Sequence, residues 1–332
     1  MASLLDRITL PLQVFQQPKF CSKNEIFHPQ CPYQNCQWTC EKSSRNTADI
    51  RRANVFHHVD INPDEMQNKL RIRSLNEIWI LWIDEANRQL EHFNQYQFNW
   101  TISFRQDSEI SIGTYGLLIP ISSTNKSDSF VLFPLENHIW TNYRSRSKHA
   151  LWFVSNCEPQ ARLKYYHQLK TFFPIHAFGS CLAKSSNPSC KKNDQCELDQ
   201  SHLALFYLAF ESQTCKDYIT EKFWRALYYG MIPVVFGPSK QSYLDLGIPS
   251  TAFIHTDDFQ SAEQLGNYLH QIANDYLLYR RYFQWINDYE IFYQTADLEA
   301  IRMCELCMRL NLQAKNEYRF YKDIHRWHRT GC

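Results

Sequence analysis

No apolar run in this chain approaches the roughly 18–20 residues that a helix needs to span a bilayer, so no spanning segment is expected within it. The first twelve residues are broken by Asp6, Arg7 and Pro11 and make a poor signal peptide. Charge of one sign is also missing: 35 Lys+Arg against 34 Asp+Glu leave a formal +1. That excludes the broad positive surface of a general nucleic-acid binder and leaves room only for a local basic pocket. Glycine-rich phosphate loops are absent too. Neither GxxxxGKS/T nor GxGxxG occurs, which argues against a P-loop NTPase and a dinucleotide enzyme.

What is present is enough for a large core. The 332 residues are 44% hydrophobic and 21% charged, which excludes a disordered chain and fits two domains of ordinary size. Aromatics reach 15%, with nine Trp; most such rings fill cores. Twelve Cys stand out. Cys21, Cys31, Cys36 and Cys40 cluster, as do Cys181, Cys190, Cys196 and Cys215, then Cys304 and Cys307, with Cys157 and Cys332 apart. Two acceptor triplets for N-glycosylation, at Asn99 and Asn125, accompany them, whereas Pro188 disqualifies Asn187. Clustered Cys and sequons imply an oxidising, secretory-pathway compartment. With the entry signal missing, the chain is expected to be a lumenal portion whose anchor lies elsewhere.

The second half alternates strand and helix. Strands are expected at 151–154, 174–178, 205–210 and 232–236, with helices over 159–169 and from an Asp217 N-cap to Tyr229. That rhythm implies a parallel sheet, where ligands bind beyond the carboxyl ends of strands. Three such ends are Ser155-Asn156, Glu211-Ser212 and Gly237-Pro238-Ser239. In the first half, 54–58, 78–83 and 98–104 read as strands, and Asp84-Glu85 follow the second. The polar, basic stretch 141–149 reads as an interdomain linker, with the boundary near 145, and 121–129 reads as a surface loop. His57-His58 with Asp60 read as structural, because neighbours on a strand point to opposite faces.

The densest chemistry lies in 210–239. Tyr218, Glu221 and Lys222 crowd the start of a helix, where a Lys suits a diphosphate and a Glu suits ribose hydroxyls. The plain alternative is a solvated charge pair on an amphipathic helix.

These residues resemble the donor motif of the α-1,3-fucosyltransferases, glycosyltransferase family 10. The correspondence consists of Phe210-Glu211-Ser212, DYITEK at 217–222 and PVVFGP at 233–238. Upstream, Val154-Ser155-Asn156 with Arg162 and Tyr165-Tyr166 is similar to the family's VSN…R…YY element, and Phe98-Asn99-Trp100-Thr101 with Arg105, Asp107-Ser108 and Tyr115-Gly116 to its FNWT…R.DS…YG element. The resemblance runs from about residue 25 to about residue 310, and the cysteine spacing is most similar to invertebrate core-type members. Departures are Ser212 for the usual Asn, Gly113-Thr114 for Val-Pro, and Glu85-Ala86-Asn87 for Glu-Ser-Pro.

The resemblance implies a GT-B α/β fold, two Rossmann-like domains facing a cleft. They are an acceptor-side domain over 1–145 (1–24 undefined), a GDP-fucose-binding domain over 146–315, and a tail over 316–332. It implies an inverting enzyme that moves L-fucose from GDP-β-L-fucose to a GlcNAc hydroxyl of an N-glycan on a glycoprotein, the core preferred, in the Golgi lumen. A membrane would be met only through an anchor outside this chain. Glu85 is the expected base, with Asp84 its near alternative, and Asn156, Arg162, Glu211, Ser212, Tyr218, Glu221 and Lys222 the donor-binding set. Within it, Arg162 and Lys222 take the diphosphate, Glu221 the ribose, and Glu211 the fucose or its developing positive charge. No obligatory metal is expected, with Mn or Mg at most assisting product release; for the Cys clusters disulfides are expected over zinc. The alternatives are transfer to lactosamine antennae or protein hydroxyls, and a non-catalytic nucleotide- or glycan-binding relic.

Overall fold

Apolar runs buried on both faces build one parallel sheet in each of two units. The computed structural model describes residues 12–15, 31–33, 35–39, 52–74, 77–86, 88–121, 135–182, 190, 194–293, 295–312 and 319–332. One unit spans Met1–Thr114 with Gln294–Cys332, the other Tyr115–Tyr293.

The first unit contains β1 (Leu12–Phe15), β2 (Cys36–Thr39), β3 (Arg52–His57), α1 (Pro63–Arg71), β4 (Glu77–Ile83) and β5 (Trp100–Ser103). The strands pair in parallel in the order β2-β1-β3-β4-β5. Side chains alternate across the sheet with period two. Val55, Ile78, Ile80, Trp82 and Ile102 meet Met303, Leu306 and Leu310 on one face. Phe56, Trp79, Leu81 and Ile83 meet Phe93, Phe98 and Ile324 on the other. A strand covered on both faces reads as a continuous apolar run, which is why EIWILWI is legible in the sequence.

The second unit contains β6 (Leu117–Pro120), α2 (Leu135–Ser145), β7 (Ser147–Phe153), α3 (Gln160–Leu169), β8 (Ile175–Phe178), α4 (Gln195–Leu203) and β9 (Ala204–Phe210). It continues with α5 (Glu221–Tyr228), β10 (Ile232–Phe236), α6 (Lys240–Asp245), β11 (Ile254–His255), α7 (Ala262–Asn274), α8 (Tyr276–Arg281) and β12 (Tyr289–Phe292). Its main sheet is parallel, ordered β11-β10-β9-β7-β8, and β12 pairs antiparallel with β6. Central β9, ALFYLAF, is buried throughout. Phe206, Leu208 and Phe210 pack with Tyr166 and Leu169 of α3 and Leu265 and Leu269 of α7. Tyr207 and Ala209 pack with Phe223, Trp224 and Leu227 of α5.

The chain then returns to the first unit as α9 (Thr295–Leu312) and α10 (Ile324–Arg329). Cys304 and Cys307 of α9 form disulfides with Cys31 and Cys36. Cys157–Cys181 and Cys190–Cys196 close two more in the second unit, and none of the described Cys is free. The CxxC pair is therefore two cross-links, as expected over zinc. Among the described residues no helix is long and apolar enough to cross a membrane.

Three expectations meet a different structure. Residues 141–149 are not a linker: they are the end of α2 and the start of β7. Their basic character has a structural cause, because Arg146 is buried and donates to the carbonyls of Ala204 and Tyr229. The described part of the expected 316–332 tail is folded into the first unit. There Ile324 and His328 are buried, Tyr321 N donates to Phe98 O at 2.8 Å, and its hydroxyl donates to Glu109 at 3.0 Å. The Asn99 sequon is a core element. The Asn99 amide oxygen accepts from Trp79 N at 2.8 Å and from Arg73, and its amide nitrogen donates to Arg319 O at 2.7 Å. Thr101 is fully buried. Asn125 and most of 121–129 lie outside the described residues.

Two outcomes are expected. Chain produced through a secretory host carries no glycan on Asn99, read by peptide mass spectrometry. Asn99→Ala lowers stability by about 2–3 kcal/mol in denaturant titration, because it strands buried partners. Stability also depends on pH. Burial holds His58, His149 and His328 near 4, against about 6.5 in an unfolded chain. Above about pH 7 all three are neutral in both states. As pH falls from about 6.5 towards 4 the unfolded state takes up protons first, so the melting temperature declines across that window. A level melting temperature there would contradict the burial of these rings.

Candidate active site

All strands of the second unit's main sheet are parallel, so their carboxyl ends share one edge. The structure brings Ser155-Asn156, Glu211-Ser212 and Gly237-Pro238 to neighbouring positions there, at the ends of adjacent β7, β9 and β10. Glu211 N donates to Phe236 O at 2.8 Å, which ties the ends of β9 and β10 together. Gly237 sits at φ +141°, and a Cβ there would lie 2.9 Å from the Cβ of Glu211, so only glycine fits against this side chain.

Glu211 is the centre of the rim. Its carboxylate accepts from Thr220 N at 2.8 Å and from the Thr220 hydroxyl at 2.8 and 2.9 Å on its two oxygens. It also accepts from Lys222 Nζ at 3.0 Å, and its side chain is 0% exposed. Lys222 donates as well to the Thr220 hydroxyl at 2.6 Å and pairs with Glu221 at 3.5 Å. Burial pushes the Glu211 carboxyl up, against the pull of Lys222. Burial disfavours the Lys222 ammonium, but Glu211 and Glu221 outweigh it and hold its pKa above the ordinary lysine range. The two carboxylates thus favour the charged ammonium.

The helix behind this cluster begins later than the sequence implies. Asp217 is not the N-cap; it is a buried turn residue at φ +67°, and Thr220, in extended backbone, precedes the first turn of α5. The Thr220 side chain does not cap its own helix but turns to Glu211. The carboxylate of Glu211 takes up Thr220 N instead, putting negative charge at the positive end of α5. Thr220 is the residue the sequence reading passed over. It stands inside DYITEK just before the helix, where Ser and Thr are favoured caps, and that was the available signal.

Arg162 lies beneath the rim and is buried. Its terminal nitrogens donate to Phe210 O at 3.0 Å and to Asn156 O at 2.7 Å. Burial lowers its pKa while Glu211, Tyr218 and Glu221 pull it back up, so these groups share one electrostatic neighbourhood. The Asn156 turn is also held by Ser180, which donates to Ser155 O at 2.9 Å, and by the Cys157–Cys181 disulfide. Asn156 itself is exposed, with Oδ1 accepting from Glu158 N at 3.0 Å. Tyr218 is buried, its ring edge-on to Tyr115. Ser212 is half-buried just past Glu211.

Glu85 belongs to the first unit, at the end of β4. Its side chain is exposed, and its backbone carbonyl accepts from His328 Nε2 of α10 at 3.0 Å. Asp84 differs. It accepts from Trp82 Nε1 at 2.7 Å, and burial raises its pKa while Arg302 and Trp82 oppose that rise. Arg302 lies over the Trp82 ring and donates to Thr114 O at 2.8 Å. His57 is paired with Asp60 at 2.9 Å, a structural role. Among the described residues no group of three or more His, Cys, Asp or Glu could hold a metal ion.

A family model described as "Glycosyltransferase family 10 (fucosyltransferase) C-term" matches residues 143–327, and one described as "Fucosyltransferase, N-terminal" matches residues 9–116. The mouse (Mus musculus) 4-galactosyl-N-acetylglucosaminide 3-alpha-L-fucosyltransferase 9 is 30% identical over 299 residues, 89% of this chain and 75% of that protein. The rat (Rattus norvegicus) alpha-(1,3)-fucosyltransferase 7 is 33% identical over 298 residues, 88% of this chain and 72% of that protein. A crystal structure of an alpha1,3-fucosyltransferase with GDP shares the fold at a TM-score of 0.56 and 15% identity, covering 96% of this chain and 95% of that one. With matches in both its first and its second half, and with the GT-B fold, this chain belongs to glycosyltransferase family 10, the fucosyltransferases.

Proposed function

We propose that this enzyme transfers L-fucose from GDP-β-L-fucose to a GlcNAc hydroxyl of an N-glycan with inversion, forming an α-1,3 linkage, in the Golgi lumen. The single observation that carries the reading is the charged Lys222 ammonium, 17% exposed, held at the strand-end rim of a fucosyltransferase-family chain. A crystal structure of a fold relative holds GDP-fucose, at a TM-score of 0.52.

In the proposed step the acceptor oxygen attacks the anomeric carbon of fucose, and the bond from that carbon to the phosphate oxygen breaks. Glu85 takes the hydroxyl proton; it is an exposed residue at the end of β4, whereas Asp84 is buried deeper and accepts from Trp82 Nε1 at 2.7 Å. Lys222 takes the growing charge on the departing diphosphate through a charge-assisted hydrogen bond. Diphosphate leaves readily, so no strong general acid is required. Arg162 adds positive charge from beneath while its N–H groups hold the Asn156 turn. Glu221 serves the ribose, and Tyr218, Asn156 and Ser212 complete the donor contacts.

The core GlcNAc is the first acceptor, from the cysteine spacing. The name of the mouse relative specifies a galactosylated N-acetylglucosaminide, which favours a second acceptor, the lactosamine antenna.

The test is incubation of the secreted chain with GDP-fucose and a panel of core N-glycans and lactosamines, read by mass spectrometry. Gain of one fucose on one class supports the reading; bound GDP without transfer to any acceptor opposes it. Glu85→Gln is expected to lower turnover by about 10²-fold or more with GDP affinity nearly unchanged. Lost GDP affinity would remove Glu85 from the role of base. Lys222→Ala is expected to raise KM for GDP-fucose by about tenfold or more, and an unchanged KM would reject the diphosphate assignment.

A further inference from the structure

A glutamate at the end of the central strand and a threonine before α5 surround the Lys222 ammonium. Glu211 has no lone pair turned to solvent: Thr220 N and the Thr220 hydroxyl meet one oxygen, and the same hydroxyl and Lys222 Nζ meet the other. With its side chain 0% exposed and the Gly237 backbone against its stem, it has no free surface for a sugar. An unrestrained lysine has four rotatable bonds and loses rotamer entropy when it binds. Here two of its three N–H donors are already committed, to Glu211 at 3.0 Å and to Thr220 at 2.6 Å.

We infer that Glu211 and Thr220 are positioning residues: a buried two-point clamp that holds the Lys222 ammonium in place for a nucleoside diphosphate, with neither touching the donor. The inference rests on the reading of Lys222 as the diphosphate ligand. It replaces the fucose-contacting role expected for Glu211. Thr220 is the sensitive member, because its hydroxyl both donates to the carboxylate and accepts from the ammonium. Valine keeps its branched shape and its backbone N–H bond to Glu211 and removes only the hydroxyl.

The experiment measures KM for GDP-fucose, KM for acceptor, kcat and melting temperature for Thr220→Val, Thr220→Ser, Glu211→Gln and Lys222→Ala, and for Thr220→Val combined with Lys222→Ala. Thr220→Val and Glu211→Gln are expected to raise KM for GDP-fucose by about tenfold and to lower kcat, because a displaced ammonium stabilises the departing diphosphate less, with acceptor KM within about twofold. Thr220→Ser restores the wild-type value. In the Lys222→Ala background Thr220→Val adds nothing, since the clamp has nothing to hold. An equal rise from Thr220→Val with and without Lys222 would overturn the clamp, as would a wild-type KM in Thr220→Val while Lys222→Ala raises it. An unchanged KM in Lys222→Ala would instead overturn the diphosphate reading itself. A variant that loses only melting temperature, with the KM values preserved, marks a structural role and contradicts the inference.

Discussion

A carboxylate and an ammonium enclosed together at the end of a buried strand are the constraint around which the second unit is built. Removing both ions from water costs several kcal/mol each, and their attraction offsets this only when the geometry is good and the remaining lone pairs are satisfied. Glu211 and Lys222 meet that condition through Thr220, which contributes both a backbone N–H and a hydroxyl. The demand propagates outward. Phe210 must be fixed, so β9 is buried on both faces and Arg162 holds its carbonyl. Gly237 must carry no side chain, and α5 must begin at Glu221, one residue after the threonine.

The first unit solves a different problem, since its sequence is split by the whole of the second. Two disulfides join the early segment to α9, and α9 and α10 cover opposite faces of the same sheet. The end of β4 is thereby fixed from both ends of the chain: the strand's side chains are packed on each face, and His328 holds the Glu85 carbonyl. A backbone held in this way presents the exposed Glu85 side chain from a fixed position, which suits the role of base proposed for it.

Much of this was legible in the sequence because parallel strands buried on both faces read as unbroken apolar runs: β4, β7, β9 and β10 stand out for that reason. The three rim segments followed from the rule that ligands bind at carboxyl ends. What failed to show were features where a polar residue is used inside. Arg146 made a strand start look like a linker, and Asn99 made a core hydrogen-bond hub look like a glycan acceptor. The helix start was misplaced because Asp217 is an ordinary N-cap type, and only the fold shows it buried at positive φ. The saturation of Glu211 was equally hidden, since its partners come from nine and eleven residues away through a turn with no periodic pattern.

Recognition of the diphosphate by a pre-positioned ammonium can be read from the affinities of GDP, GMP and guanosine for the intact chain, measured by calorimetry. GDP is expected to bind at least about tenfold tighter than GMP, with guanosine weaker still, and this preference is expected to shrink as salt rises. Equal affinity for GDP and GMP would contradict it, because the second phosphate would then be adding nothing that the Lys222 cluster was built to hold.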